Sequence, residues 1–240
     1  MVRSLWFPPA RREEPELLDS PAQYPEELGP SLAEVRGVNR WLGGTRVALR
    51  FLSSRPELAP GATANLLDVG TGTADIPLAL AGWARGQGLD LTITATDLSA
   101  EVLAHARGHV AGRGDIRLEI ADATRLPYAD ASYDFVLCNL ALHHFPPRQA
   151  VLVLREMYRV ARRAILINDL QRSRPAYWGA RLLFGLVTRD PMTSHDGPLS
   201  VLRSYTVSEL RELAEEAGLR RYTVRSRPLF RLELLAEKGA

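Results

Sequence analysis

The chain has 240 residues and a formal net charge of +2, with 46% hydrophobic and 24% charged residues. This length fits one α/β domain with additional segments, and this composition supplies enough apolar residues for a large core. The small net charge does not imply a polyanionic partner. The single cysteine, Cys138, excludes a disulfide framework and indicates a core thiol in a reducing cytoplasm. We find neither a charged-then-apolar leader nor an apolar run of about 18 residues, so we expect no secretion and no membrane-spanning segment.

Residues 1–52 are expected to form an N-terminal arm and cap helices. Residues 1–30 are rich in proline, glutamate and arginine, which predicts an irregular arm. From Ser31 to Leu52 apolar residues recur with helical spacing, and Gly43-Gly44 predicts a break between two helices. The remaining residues, 53–240, are assigned to one domain.

Short apolar runs and helical patterns alternate through the first part of this domain. We predict strands near 65–69, 91–96, 116–120, 133–138 and 164–168, and helices near 75–85, 99–108 and 148–160. Such alternation is typical of parallel βαβ units with helices on both faces of a sheet. Toward the end of the chain, Thr206 to Ala217 predicts a helix, and the runs Tyr222–Arg225 and Leu229–Leu235 predict an antiparallel pair of strands.

The most informative segment follows the first of these strands. The apolar run from Leu66 to Val69 ends at Gly70 and Gly72, and a helical pattern begins at once. This order predicts a strand, a tight turn and a helix N-terminus, where backbone N–H groups can approach a nucleotide-like ligand. Asp97 ends the second strand, where a carboxylate can bind both hydroxyls of a ribose. We therefore predict a nucleoside-containing cofactor.

Two classes of cofactor fit this turn. A dinucleotide site requires G-x-G-x-x-G, but Asp75 occupies the third glycine position, where its carboxylate would face a pyrophosphate. The tighter G-x-G-x-G spacing fits better, with Ala74 in place of the third glycine. S-adenosylmethionine has no phosphate and carries a sulfonium cation, so carboxylates such as Asp68 and Asp75 favour it over NAD.

Four motifs in chain order resemble those of class I S-adenosylmethionine-dependent methyltransferases. They are the glycine motif at 66–74, the strand-end motif at 94–99, the acidic stretch at 121–135 and the fourth-strand segment at 135–144. The resemblance implies contacts of Asp97 with the ribose, of Asp122 and Ala123 with the adenine, and of Asn139 with the methionine end. The full set of predicted cofactor-binding residues is Arg36, Asn39, Asp68, Gly70, Gly72, Asp75, Asp97, Leu98, Asp122, Ala123 and Asn139.

The resemblance also implies a fold. We expect a Rossmann-like, doubly wound α/β sheet of seven strands, the last of them antiparallel, with N-terminal helices and a helical insert after the fifth strand. The match covers residues 60–170 and the C-terminal helix and hairpin. In the N-terminal helices, Arg36 and Asn39 are expected to close over the cofactor.

Methyl transfer to a hydroxyl can require a base. His143 and His144 lie just beyond the fourth strand, where they could pack in the loop or contact substrate or cofactor. His195 follows the apolar, aromatic part of the insert and could place a base in an acceptor pocket. Asp169 ends the fifth strand and could also be a base. Asn168-Asp169 is a weak metal-ligand set without clustered His or Cys, so we predict no metal.

The insert, residues 170–205, is expected to act as a lid. Its first part, Pro175–Val187, is apolar and aromatic, and the polar segment Thr188–Ser204 is predicted to be a loop. The apolar part could instead be core, or an amphipathic face that rests on a membrane. In that last case the arginines that could contact lipid are Arg172, Arg174, Arg181 and Arg189.

An apolar insert favours a small hydrophobic acceptor. The segment Asn139–His144 resembles methyltransferases of quinone biosynthesis, and the segment 168–202 is similar to methyltransferases encoded beside type III polyketide synthases. The second resemblance implies O-methylation of a phenolic or polyketide acceptor. C-methylation of a quinone precursor and cofactor binding without catalysis remain alternatives. We expect no nucleic-acid partner, because no basic stripe with interleaved aromatics occurs, and no stable membrane insertion; the oligomeric state is left open.

Overall fold

The computed structural model describes residues 8–41, 43–188 and 190–239. Within these ranges the centre is one sheet of seven strands, β1 Thr63–Val69, β2 Asp90–Asp97, β3 Ile116–Ile120, β4 Tyr133–Asn139, β5 Ala161–Leu170, β6 Tyr222–Arg227 and β7 Arg231–Glu237. The strand order is β3-β2-β1-β4-β5-β7-β6. Pairs among β1 to β5 are parallel, whereas β7 is antiparallel to both of its neighbours. The predicted Rossmann-like α/β fold with an antiparallel last strand is confirmed.

Eight α-helices accompany the sheet in the described ranges: α1 Pro25–Trp41, α2 Gly44–Ser53, α3 Asp75–Gly86, α4 Ala100–His109, α5 Pro147–Val160, α6 Arg174–Val187, α7 Pro191–Arg203 and α8 Val207–Glu216. Apolar side chains of α2, α3 and α4 pack on one face of the sheet, and those of α5 and α8 pack on the other. Successive residues of a strand point to opposite faces, so β1 contributes Leu66 to the first layer and Leu67 to the second. Helices therefore cover both faces, as a doubly wound sheet requires.

The N-terminal segment is more regular than its composition predicts. Two short 3₁₀ helices, Leu17–Asp19 and Pro21–Gln23, precede α1, which begins at Pro25 rather than at the predicted Ser31. The break at Gly43-Gly44 is confirmed, because Gly43 adopts a left-handed φ of 77° between α1 and α2. Residues 1–7 of the predicted irregular arm and Arg189 of the insert lie outside the described residues.

The prediction of a loop at 188–204 is wrong, because residues 191–203 form α7. The side chain of Asp190 accepts a hydrogen bond from the N–H of Thr193 at 2.7 Å and so caps the first turn of this helix. Met192 and Val201 are buried on its inner face, which its polar composition conceals. In the described part of the chain, no helix combines the length and the apolar character needed to cross a membrane.

Candidate functional site

A cavity of about 960 Å³ opens at the carboxyl ends of β1, β2 and β4, the edge at which open α/β sheets bind ligands. The predicted site residues that line it are Arg36, Gly70, Gly72, Asp75, Asp97, Leu98, Asp122, Ala123, Asn139, His143 and His144. Asp68 and Asp169 are buried at the ends of β1 and β5. The backbone of Asn39 lies in α1, and its side chain is outside the described part of the structure.

Backbone geometry builds the turn after β1. Gly70 has a φ of 69°, and a Cβ atom at this position would lie 2.5 Å from the Cβ atom of Ala141. Conformation and close approach both exclude a side chain there. Gly72 faces open space, and its N–H donates to Oδ2 of Asp97 at 3.0 Å. Ala74, at the third glycine position of the motif, has a left-handed φ of 62° at the start of α3.

Three buried polar atoms beside this turn have no hydrogen-bond partner among the described residues: Asp68 Oδ1, Thr71 Oγ1 and Asn139 Nδ2. Burial raises the pKa of Asp68 to about 7, the carboxylates of Asp75 and Asp97 act in the same direction, and the neighbouring polar side chains of Thr71 and Asn139 oppose them. Buried polar groups normally have partners, and a bound cation would favour the ionised form of Asp68. The methionine end of S-adenosylmethionine, with its ammonium and sulfonium charges, fits these groups.

The ends of β2 and β3 carry the groups predicted to contact adenosine. Asp97 also accepts a hydrogen bond from the N–H of Ser99 at 3.1 Å, so its carboxylate is held in place. Leu98 beside it is 70% exposed and offers an apolar surface that a planar base could cover. Asp122 and Ala123 line the same part of the cavity. A nucleoside therefore has both polar and apolar contacts available here.

His143 and Asp169 form a hydrogen-bonded pair at the ends of β4 and β5. The Nδ1 atom of His143 lies 2.7 Å from Oδ1 of Asp169, and the backbone N–H of His143 donates to Oδ2 at 2.9 Å. Burial disfavours the charged form of Asp169, but His143 and nearby backbone N–H groups outweigh it and hold its pKa below the ordinary value. In a neutral imidazole this contact would hold the proton on Nδ1, which would leave Nε2 of His143 with a lone pair.

Glu16 also belongs to this site, although the sequence did not point to it. Its side chain is 4% exposed, and its Oε1 lies 3.5 Å from Nε2 of His143 with no hydrogen-bond partner among the described residues. Ligand atoms of Glu16, His143 and His144 lie within 4.8 Å of one another, a spacing that a divalent cation could use. Glu16 does not need a metal ion to balance its charge, because the guanidinium of Arg203 lies 3.8 Å from its carboxylate.

His144 has a different environment from His143. Its Nδ1 lies 2.5 Å from Oδ1 of Asp19, whose other oxygen accepts from Arg203 at 2.5 Å. Burial alone would lower the pKa of His144, but the carboxylates of Glu16 and Asp19 outweigh it and raise the pKa to about 9. His144 is therefore protonated at neutral pH and ties the N-terminal segment to the cavity rim.

The other half of the cavity is mainly apolar. Its wall from α6 and α7 includes Ala176, Gly179, Ala180, Leu183, Phe184, Met192 and Val201. The two helices approach closely at Gly197, where a Cβ atom would lie 2.3 Å from the ring of Phe184. The opposite face of α6 exposes Trp178, Leu182 and Leu186. One helix therefore separates the cavity from solvent.

His195, predicted as a base, is not among the residues that line the cavity. Its side chain is 53% exposed, and its Nδ1 lies 2.8 Å from Oδ1 of Asp196. Asp196 is buried and accepts the N–H groups of Leu17 and Leu18 at 2.9 and 3.0 Å, so it fixes the N-terminal segment against α7. Cys138 is fully buried in β4, as the prediction of a core thiol requires.

The tip of the β6–β7 hairpin completes the wall. Leu229 and Phe230, predicted to begin a strand, instead form the turn with φ values of 62° and 53°, and β7 begins at Arg231. Such conformations cost non-glycine residues on the order of 1–3 kcal/mol each. The carbonyl of Phe230 accepts from the N–H of Gln171 at 2.7 Å, which holds the tip at the end of β5.

The fold and the site define a Rossmann-like protein that binds a nucleoside-containing cofactor with a cationic end. A family model described as a methyltransferase domain matches residues 66–164. A demethylmenaquinone methyltransferase of Bacillus velezensis is 31% identical over 170 residues, which are 65% of this chain and 71% of that protein. The chain belongs to the family of class I S-adenosylmethionine-dependent methyltransferases.

Two further proteins are similar to the chain. A ubiquinone/menaquinone biosynthesis C-methyltransferase of Rickettsia akari is 31% identical over 104 residues, 42% of this chain and 41% of that protein. The chain thus matches less than half of the length of that relative. The crystal structure of human N-acetylserotonin methyltransferase in complex with SAM has a TM-score of 0.63 at 19% identity and covers 94% of this chain and 60% of that one. At this identity the likeness shows the fold alone.

Proposed function

We propose that the protein transfers a methyl group from S-adenosylmethionine to a hydroxyl of a small, apolar, phenolic or polyketide acceptor. The observation that carries the proposal is the continuous cavity that joins the turn after β1 to His143 and to the apolar walls of α6 and α7. Donor and acceptor can lie in this one space, and their alignment away from water is the main requirement of methyl transfer.

The donor half of the cavity has a partner for each part of the cofactor. When bound, S-adenosylmethionine supplies an electrophilic methyl group on a positively charged sulfur. Asp97 would hold its ribose, Asp122 its adenine and Asn139 its methionine end, and the buried carboxylate of Asp68 would supply negative charge nearby. Carboxylates near a cation bind it strongly in a site of low dielectric constant.

His143 is the base in this proposal. Asp169 holds its Nδ1–H, while Nε2 of His143 and Oε1 of Glu16 form two acceptors 3.5 Å apart. The hydrogen of an acceptor hydroxyl would be attracted to both, which supports its removal as the oxygen is methylated. The protonated state of His144 makes that residue a poor base at neutral pH.

A second candidate function is C-methylation of a quinone precursor. The relative from Rickettsia akari is named a ubiquinone/menaquinone biosynthesis C-methyltransferase, and that from Bacillus velezensis is named a demethylmenaquinone methyltransferase. Both names favour this alternative. A phenolic ring is a better carbon nucleophile once its hydroxyl is deprotonated, so His143 would serve either reaction. The apolar walls fit both classes of acceptor.

A transfer assay with a donor that carries a ¹³C-labelled methyl group separates these functions. The protein is incubated with alkylated phenols and demethylated quinols, and the ¹³C chemical shift shows whether the label is attached to oxygen or to carbon. Label on oxygen supports the proposal, and label on carbon supports the alternative. Donor binding by calorimetry without transfer to any acceptor would contradict both and favour a binding protein without catalysis.

A further inference from the structure

Arg231 is a buried cation without a partner. Its side chain is 2% exposed, and none of its three guanidinium nitrogens has a hydrogen-bond partner within the described parts of the chain. The residue nevertheless lines the cavity. Removing a charged group from water is costly unless another charge or hydrogen bonds compensate, so this guanidinium needs a partner that enters the cavity.

The acidic side chains near Arg231 are committed elsewhere. Burial lowers the pKa of Arg231 to about 10, although Asp169 acts in the opposite direction, so the group stays charged at neutral pH. Asp169 pairs with His143 at 2.7 Å, and Glu233 on the same strand pairs with Arg227 at 2.6 Å. A ligand anion would therefore satisfy a charge that these groups leave unbalanced.

The position of Arg231 points to the acceptor rather than to the donor. β4 and β5 lie between β1 and β7, and strands are spaced about 4.8 Å apart, so Arg231 lies on the order of 14 Å across the sheet from the glycine turn. It pairs with Leu170, the residue after Asp169. Next to it, Leu229 and Phe230 form the strained tip of the hairpin and line the cavity.

We propose that Arg231 binds a carboxylate on the methyl acceptor, which makes the acceptor a hydroxylated aromatic or polyketide acid rather than a neutral phenol. The identification of this ligand as the acceptor rests on the proposed function. A guanidinium can hold a carboxylate through two parallel hydrogen bonds, which fixes both position and orientation. The carboxylate end would lie at β7, a hydroxyl at His143, and the apolar remainder against α6 and α7.

A matched pair of probes tests this inference: 2,4-dihydroxy-6-pentylbenzoate and 5-pentylresorcinol, which lacks the carboxylate. Their affinities are measured by calorimetry on protein saturated with S-adenosylhomocysteine, so no methyl transfer is required. We expect the wild type to bind the benzoate about tenfold more tightly than the resorcinol. Arg231→Gln should abolish this preference and leave resorcinol binding nearly unchanged. Arg220→Gln, which replaces an exposed arginine just before β6, should keep the preference.

Several results would overturn the inference. Equal affinity of the wild type for the two probes, or no binding of the benzoate, would do so. A comparable loss of S-adenosylhomocysteine affinity in Arg231→Gln would also do so, since the bound carboxylate would then be the donor's own. Benzoate that binds through Arg231 but is never methylated would leave the inference standing while the proposed function fails.

Thermal unfolding separates ligand binding from a structural role. Replacing an unpaired buried cation by Met should leave or raise the Tm of the ligand-free protein, because the desolvation cost is removed. A Tm lowered by Arg231→Met, with affinity for both probes lost equally, would show that Arg231 only supports the fold. Arg231→Lys keeps the charge and should retain part of the preference, which gives a second variant should Arg231→Gln fold poorly.

Discussion

The N–H of Gly72 donates a hydrogen bond to Oδ2 of Asp97 over 3.0 Å, which joins the turn after β1 to the end of β2 at the proposed donor site. The N–H of Ser99 holds the other oxygen. Two backbone donors thus orient the carboxylate before any ligand binds, and a preorganised group loses little conformational entropy when it binds.

Asp97→Ala should weaken donor binding by more than about 1 kcal/mol, because charge-assisted hydrogen bonds to the ribose are lost. Calorimetric titration with S-adenosylmethionine measures the change. Glu212→Ala, an exposed acid on α8, is the control and should bind the donor like the wild type. Wild-type affinity in Asp97→Ala would contradict the ribose assignment.

Gly70 and Gly72 should respond differently to alanine. At Gly70 the new Cβ would meet Ala141 at 2.5 Å in a left-handed conformation, whereas at Gly72 only the conformation is unfavourable. We expect Gly70→Ala to lower the free energy of unfolding by about 1–3 kcal/mol more than Gly72→Ala, since overpacking adds to backbone strain. Chemical denaturation of the two variants measures the difference. Equal destabilisation would show that the contact with Ala141 relaxes without cost.

That residues such as Asp97 and Asn139 line one cavity could be predicted, because each lies in a short segment at or directly after the end of a strand. The ends of β1, β2 and β4 meet at one edge, so local motifs around Asp97 or Asn139 report on a shared site. No local pattern connects Glu16 with His143, which come from distant parts of the chain. Arg231 likewise cannot be distinguished in the sequence from an exposed arginine, because only the packing of the sheet buries it. Contacts between distant parts of the chain determine the burial and the partners of such residues, and the local spacing of residues in the sequence does not predict these contacts.

Asp68 should make both stability and donor binding depend on pH. Its folded pKa is about 7 against an ordinary value of 3.8, so between these values the folded protein holds a proton that the unfolded chain releases. The stability of the donor-free protein therefore falls as the pH rises through this range. A cationic donor favours the carboxylate, so donor affinity should rise about tenfold between about pH 6 and about pH 8.

Asp68→Asn should flatten both profiles. Thermal unfolding across this pH range and calorimetric titration at each pH provide the measurements. Since the amide that replaces the carboxyl group cannot ionise, a pH dependence of donor affinity in the variant equal to that of the wild type would assign the effect to another group.

His143→Ala should reduce the turnover of a hydroxyl acceptor by about 10²–10⁴-fold while donor affinity stays the same, because a base acts on the acceptor alone. Asp169→Asn should also slow transfer, since the amide cannot hold the required tautomer as a carboxylate does. Turnover is measured at saturating donor. His195→Ala tests the competing base, and a loss in this variant as large as that in His143→Ala would contradict the assignment to His143.

Gly197 should control which acceptors fit. A Cβ atom at this position would lie 2.3 Å from the ring of Phe184, so Gly197→Ala must move that ring, which lines the apolar half of the cavity. The proposed donor site lies at the other side of the cavity, so the KM for bulky acceptors should change while donor affinity stays within about twofold of the wild type. Gly185→Ala on α6 is the matched control, because nothing lies within 4 Å of its new Cβ and alanine favours a helix by about 1 kcal/mol. Steady-state kinetics with short- and long-chain acceptors measure the effect, and an unchanged KM ratio in Gly197→Ala would place the acceptor away from α6 and α7.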